Sequence, residues 1–281
     1  MPTFDTPEPI IVRLSLGFVV ANVRVTASDR RDTTVDVRPA DAARKSDLKI
    51  AEQTRVEYAD GRLEVSAPKR GSLFGRPGSL DVTIALPSGS RMHGEIGMGE
   101  LVSEGRLGEC RFKTGFGEIR LDVAGAVTLK SGSGDITVEH AEGDAEITAS
   151  NGAVSLGRID GSATVKNSNG ASWLGEVAGD LRVNGANGSI TVDRAHAGVT
   201  AKTANGRVRI GEVARGVVTL ETSAGSVEVG IRTGTAAWLD LKTAAGRVRN
   251  ELATAAGPDG TDDTVEVRAR AQVGDIVVRR T

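Results

Sequence analysis

The chain has 281 residues, with 35 Lys and Arg against 37 Asp and Glu, 39% hydrophobic residues and 3% aromatic residues. A formal net charge of −2 leaves no global positive excess to hold nucleic acid or anionic lipid. The single Cys110 excludes an intrachain disulfide and fits a reducing compartment. So few rings predict an interior of Val, Ile, Leu and Ala, which suits a thin tube better than a thick sandwich.

The opening MPTFDTPEP carries acids and prolines where a signal peptide would carry a basic region. The apolar stretch IIVRLSLGFVV next to it is broken by Arg13 and Ser15 and reads as strand, not as a membrane span. The expectation is a cytoplasmic protein with no transmembrane segment. Residues 1–90 form a β-rich N-terminal cap continuous with the repeats of residues 91–250. Its strand-like runs are VRLSL, ANVRVTA, TTVDV, RLEVSA and LDVTIAL, with ADGR and PSGS as turns. DAARKSDLKIAEQ is compatible with a short helix or a loop.

Within residues 91–250 glycines stand at Gly99, Gly117, Gly134, Gly152, Gly170, Gly188, Gly206, Gly225 and Gly246, at spacings of 17 to 21 and mostly 18. Two residues after the glycine, except at Ser172, and usually four after it lie apolar residues, such as Ile136 and Val138 or Val208 and Ile210, with mostly polar residues between them. Five and seven residues before it lie another apolar pair, such as Leu129 and Val127 or Val165 and Ala163. Alternation with period two marks two strands per coil. A smaller apolar corner, such as Ala141, Ile159 and Val177, marks a short third side. No proline falls between Pro87 and Pro258, as a continuous hydrogen-bond ladder requires.

Residues 251–281 begin with the loop ELATAAGPDGTDD over 251–263, and VEVRARA and DIVVRR then close the far end. A period this regular means stacked coils. The expected fold is all-β: a single-stranded parallel β-helix (β-solenoid) of about 18 residues per coil with an N-terminal β-rich cap. Right-handed winding is preferred, because the strict hexapeptide repeat of a left-handed coil is missing.

The runs LGECRFKTGFGEIRL, LKSGSGDITV, AEITASNGAVSLGRIDG, ATVKNSNG, LRVNGANG, AKTANGRVRIGEVARG and TAAWLDLKTAAGRVRNEL resemble the β-strand-repeat proteins of actinobacteria and other bacteria. That family is described as adhesin candidates of unknown function, and related toast-rack domains stand beside membrane-stress signalling components. The resemblance extends to FDTPEPI and AEQTRVEYADGRLEV in the cap. It implies a parallel β-helix without known catalytic residues. The adhesin description fits poorly with a chain whose start reads as no export signal.

Several columns are candidate sites. Asn151, Asn169, Asn187 and Asn205 precede Gly152, Gly170, Gly188 and Gly206 in four consecutive coils. Asn-Gly makes tight turns, and stacked amides can bond coil to coil, so this column is a structural turn ladder. An outward column four before the glycine holds Lys130, Lys166, Lys202 and Lys242, interleaved with Thr148, Asn184 and Glu221. It reads as a solvated face or a docking stripe for an acidic partner. The column after the glycine begins Glu100, Glu118, Asp135 and ends Arg207, Ser226, Arg247, with Arg209 and Arg249 beside it. Such a gradient favours head-to-tail contacts between copies. Trp173 falls at an outward position beside Ser172, as a contact point, a ring laid over the neighbouring strand, or the mark of a bulge.

Glu100, Glu118 and Asp135 as the carboxylates of a carbohydrate-active enzyme would need a sugar-binding cleft, and short coils leave little room for one. His93, His140 and His196 share no column and no metal-ligand spacing. GSGDIT and GFGEIR are turns of the repeat, not phosphate loops. Cys110 is inert core. No catalytic residue, cofactor, metal or small-molecule substrate is expected. The leading expectation is a non-enzymatic cytoplasmic scaffold or protein-binding module, with a protein partner or further copies of itself. A self-assembling filament, a surface adhesin and a carbohydrate-active enzyme are the alternatives.

Overall fold

The computed structural model describes residues 2–68, 78–252 and 263–281. Most of the predicted loop, residues 253–262, lies outside them. Among the described residues the fold is all-β apart from the helix Lys45–Gln53, and the chain forms two compact units, Met1–Ala141 and Glu142–Thr281. In both units the strands wind as a parallel β-helix with two strands per coil.

In the N-terminal unit VRLSL and ANVRVTA belong to one strand, Ile11–Ser28, which supplies both sides of a coil. Its first half pairs in parallel with Arg62–Ser66 and with Arg91–Met98. Its second half pairs in parallel with Ser79–Pro87 and Leu101–Arg106. The first coil in the sequence is therefore second in the stack. The next coils, Cys110–Ala124 and Val127–Ala141, stack in order. The end of the unit is closed by antiparallel strands. Asp32–Pro39 pairs with Ser79–Pro87, and Arg55–Ala59 pairs with Arg62–Ser66. The second pair turns at Asp60 and Gly61, both at positive φ (49° and 70°), the geometry of a tight hairpin turn.

In the C-terminal unit the coils of Gly152 to Gly225 stack sequentially. Here the structure departs from the sequence expectation. The strands Asp263–Val273 and Ile276–Arg280 do not close the end. They pair with Gly216–Ala224 and Val227–Ile231 on one edge and with Thr235–Ala245 and Val248–Asn250 on the other. The coil of Gly246 is thus outermost, and Gly274 is a repeat glycine that the longer spacing from Gly246 had hidden.

The apolar columns face the bore. Leu129, Ile136, Val165, Val192 and Ile210 are each fully buried. The corner glycine is dictated by two constraints together. Gly170 has φ +137°, and a side chain there would place its Cβ 2.0 Å from the Gly152 carbonyl oxygen of the coil below.

Candidate interaction surface

An inward polar column stands three residues before the glycine, and sequence reading missed it. Thr203 Oγ1 donates to Gly188 O at 3.2 Å, Thr222 Oγ1 to Gly206 O at 2.9 Å, and Thr243 Oγ1 to Gly274 O at 2.8 Å. The bore-facing hydroxyl thus bonds the corner carbonyl of the neighbouring coil. In the Trp173 coil Asn167 takes this place and donates to Gly152 O and Gly170 O, each at 3.1 Å. Its amide also reaches the Ser172 hydroxyl at 3.4 Å, which accounts for a polar residue inside the bore there.

Outside, Trp173 is 41% exposed and lies over the neighbouring strand. Its Nε1 donates to Asp193 at 3.2 Å, and its ring edge passes 3.4 Å from where a Gly175 Cβ would stand. Asn151, Asn169, Asn187 and Asn205 are exposed and linked side chain to side chain at 2.9–3.0 Å. In the N-terminal unit the same repeat position carries Met98 and Phe116, opposite one another and exposed, Phe116 at 60%.

The lysine column is less regular than its sequence spacing. Lys130 lies directly opposite Lys113 in the N-terminal unit. Lys166 lies between Thr148 and Asn184. Lys202 pairs with Glu221 at 2.9 Å, and Arg270 stands between Glu221 and Lys242, ion-paired to Asp240. A groove of 480 Å³ runs along this column past Lys202, Glu221, Arg270 and Lys242. A second charge column, again missed, alternates in sign through four coils: Arg158, Glu176, Arg194 and Glu212. His196 Nε2 bonds Glu176 at 2.7 Å, and this bond foremost, helped by the neighbouring cations, holds the Glu176 carboxyl below its ordinary value. The 18-residue spacing of these four charges was the available signal.

The densest charge lies on the arginine face of the C-terminal unit. Glu228 is only 12% exposed and is shared by three guanidiniums. Arg207 ion-pairs with it, Arg279 Nη2 stands at 2.7 Å and Arg209 Nε at 3.7 Å. Asp275 and Ser226 intervene between Arg207 and Arg247, because the C-terminal strands are inserted there. Arg247 and Arg249 are exposed on the outermost coil. Three arginines thus share one carboxylate, and Arg249 on the outermost strand lies opposite the uncharged Val277, which makes this face positive on a chain whose overall charge is −2.

Glu100, Glu118 and Asp135 occupy adjacent coils of the N-terminal unit. Glu118 stands 3.4 Å from Arg120. The groove of 480 Å³ at Glu100 is lined by a mixture that includes Arg24, Asp36, Arg38 and Asp81. Asp81 there accepts from Asn22 at 3.0 Å and Asp36 pairs with Arg38 at 2.6 Å, so those acids are engaged in the surface network. Among the described residues no group of His, Cys, Asp and Glu could hold a metal ion, and no helix is long and apolar enough to cross a membrane.

Stacked parallel coils cornered by glycine, with flat charged outer faces, define a β-solenoid repeat protein. The sequence matches the family described as Toastrack DUF4097 over residues 11–279, and the chain belongs to that family. No curated protein matches it. Among solved structures it is similar to a candidate adhesin from Parabacteroides merdae ATCC 43184, at 10% identity, covering 100% of this chain and 95% of that one, with a TM-score of 0.40. A candidate lipid-binding protein from Parabacteroides distasonis ATCC 8503 is similar at 12% identity, 100% and 95% coverage, and a TM-score of 0.41. A candidate cell adhesion protein from Clostridium sporogenes ATCC 15579 is similar at 13% identity, 100% and 98% coverage, and a TM-score of 0.24. Likenesses this distant carry no functional argument.

Proposed function

We propose that this chain is a non-catalytic protein-binding module whose contact surface is the arginine face of its C-terminal unit, and that its partner presents an acidic segment. The supporting observation is the surplus around Glu228: one carboxylate serves Arg207, Arg209 and Arg279, while Arg247 and Arg249 project beside them. Guanidinium groups on a flat sheet favour planar, bidentate recognition of carboxylates. The reading places the module in the cytoplasm as a scaffold, compatible with the free, buried thiol of Cys110. A connection to envelope-stress signalling is part of the same reading and rests on the family resemblance alone.

The test is affinity capture from native cells with the wild-type chain, with Arg247→Glu/Arg249→Glu, and with Lys130→Glu on the other unit. A partner retained by wild type and Lys130→Glu, released by moderate salt, and lost with the double reversal supports the proposal. Equal retention by the double reversal sinks it.

Self-association is a second reading, favoured by a different feature. Among the described residues the outermost strand Thr235–Ala245 is paired on one edge only and carries Trp238 at 61% exposure. Sedimentation equilibrium over a wide concentration range decides it.

A further inference from the structure

The asparagine ladder has a direction. Each amide donates towards the lower-numbered coil: Asn169 Nδ2 to Asn151 Oδ1 at 3.0 Å, Asn187 Nδ2 to Asn169 Oδ1 at 2.9 Å, and Asn205 Nδ2 to Asn187 Oδ1 at 2.9 Å. Asn169 also donates to Ser150 O at 3.3 Å. Beyond Asn205 the next rung is Ala224, whose side chain offers no polar partner. Among the described residues Asn151 and Asn205 thus have one side-chain tether each, whereas Asn187 has two and Asn169 three. All four are exposed, and a glycine stands directly after each one.

We propose that this ladder is a self-modification site, in which the two ends deamidate first and conversion then spreads inward from Asn205 alone. The main-chain nitrogen of the succeeding glycine attacks Cγ of the asparagine. The N–Cγ bond forms, the Cγ–Nδ2 bond breaks, and the amide leaves as ammonia with the proton of the glycine nitrogen. Water then opens the five-membered imide at either carbonyl, giving aspartate or isoaspartate.

The order comes from the tethers. The side chain must leave the ladder to reach the attacking nitrogen, so each tether is a bond to break first. The glycine nitrogens do not discriminate between rungs. Gly152, Gly170, Gly188 and Gly206 each donate to the next coil at 2.8–2.9 Å. One additional tether slows conversion about fivefold, if it is worth about as much as an ordinary hydrogen bond.

The spread comes from the direction. Aspartate is acceptor-only. At 205 it no longer donates to Asn187, and two acceptors then face each other, leaving Asn187 with its single bond to Asn169. At 151 the new carboxylate still accepts from Asn169, and a charged acceptor strengthens that bond.

The full-length wild type, Asn205→Asp, Asn151→Asp and Ala224→Asn are incubated folded in mildly alkaline buffer and mapped by peptide mass spectrometry. Wild type unfolded in urea gives the rates without the ladder. In the folded wild type, Asn151 and Asn205 should convert about fivefold or more ahead of Asn187 and Asn169. Asn205→Asp should accelerate Asn187 about fivefold, while Asn151→Asp leaves Asn169 unchanged or slower. Ala224→Asn gives Asn205 a second tether and should slow it to the rate of Asn187. Equal rates at all four rungs, acceleration of Asn169 by Asn151→Asp, or conversion in urea with none in the folded chain would each overturn the proposal.

Discussion

Replacing Gly188 by alanine is the most direct test of how the coils stack. Gly188 has φ +149°, and an added Cβ would stand 2.1 Å from Gly170 O and 2.6 Å from Gly170 C. Both obstacles are backbone of the adjacent coil, so no side-chain rotation relieves them. The Gly170 and Gly188 coils must separate, breaking the bond from Gly170 N to Asn187 O at 2.8 Å, or the backbone must leave its corner geometry. Overpacking costs about 1–3 kcal/mol and a side chain forced into such a backbone region about the same, so the sum is roughly 2–6 kcal/mol. That is a large share of the roughly 5–15 kcal/mol that holds a typical domain folded. Gly185→Ala, three residues earlier in the strand that leads into this corner, is the matched control. Its φ is not positive, and its nearest obstacle is the Thr203 hydroxyl at 3.3 Å. Urea unfolding followed by circular dichroism should show Gly188→Ala lowering the midpoint by about 1 M or more and Gly185→Ala barely moving it. If the two substitutions behave alike, the account of the corner as a close backbone contact is wrong.

Asn167→Ala should destabilise by about 1–3 kcal/mol, because it removes the amide bonds to the carbonyls of Gly152 and Gly170, and urea melts read this directly. Glu176→Gln should lower stability at neutral pH, since the folded-state carboxyl of Glu176 is held below its ordinary value of 4.5, chiefly by the His196 hydrogen bond. A depressed carboxyl stabilises the fold above its unfolded value and loses that contribution as pH falls through the folded one. The gap between wild type and Glu176→Gln should therefore close on acidification, and a gap that persists in acid would refute the assignment. Burial pushes the Cys110 thiol up to about 12. A colorimetric thiol reagent should leave it untouched in the folded chain and titrate it fully in denaturant; rapid labelling of the native protein would contradict its place in the bore.

Much of the coil was legible because each turn of a solenoid repeats the same local demands. A strand alternates, a corner needs glycine, and the next coil must match the last. Val127, Leu129, Ile136 and Val138 reach the bore for that reason, and the Asn-Gly spacing already implied a ladder. The alternating Arg158, Glu176, Arg194 and Glu212 were equally periodic, but they fall beside the corner and away from the apolar columns that drew attention. Trp173 could not be placed from its own coil, because what decides it is Asp193 in the next one.

The coil is a local matter: its length, its inward faces and its glycine corners all follow from short-range sterics and alternation. The order of coils at the ends is set by long-range pairing. Ile11–Ser28 stacks beneath a coil that the chain forms later, and Asp263–Arg280 slips inside the coil of Gly246. Any coil of this repeat offers the same ladder of backbone donors and acceptors, so local pattern cannot say which one a terminal strand will meet. That insertion also sets Arg270 beside Lys242, and Arg279 beside the Glu228 that Arg207 and Arg209 share. The arginine face is therefore a product of long-range pairing, and no local window of the sequence contains it.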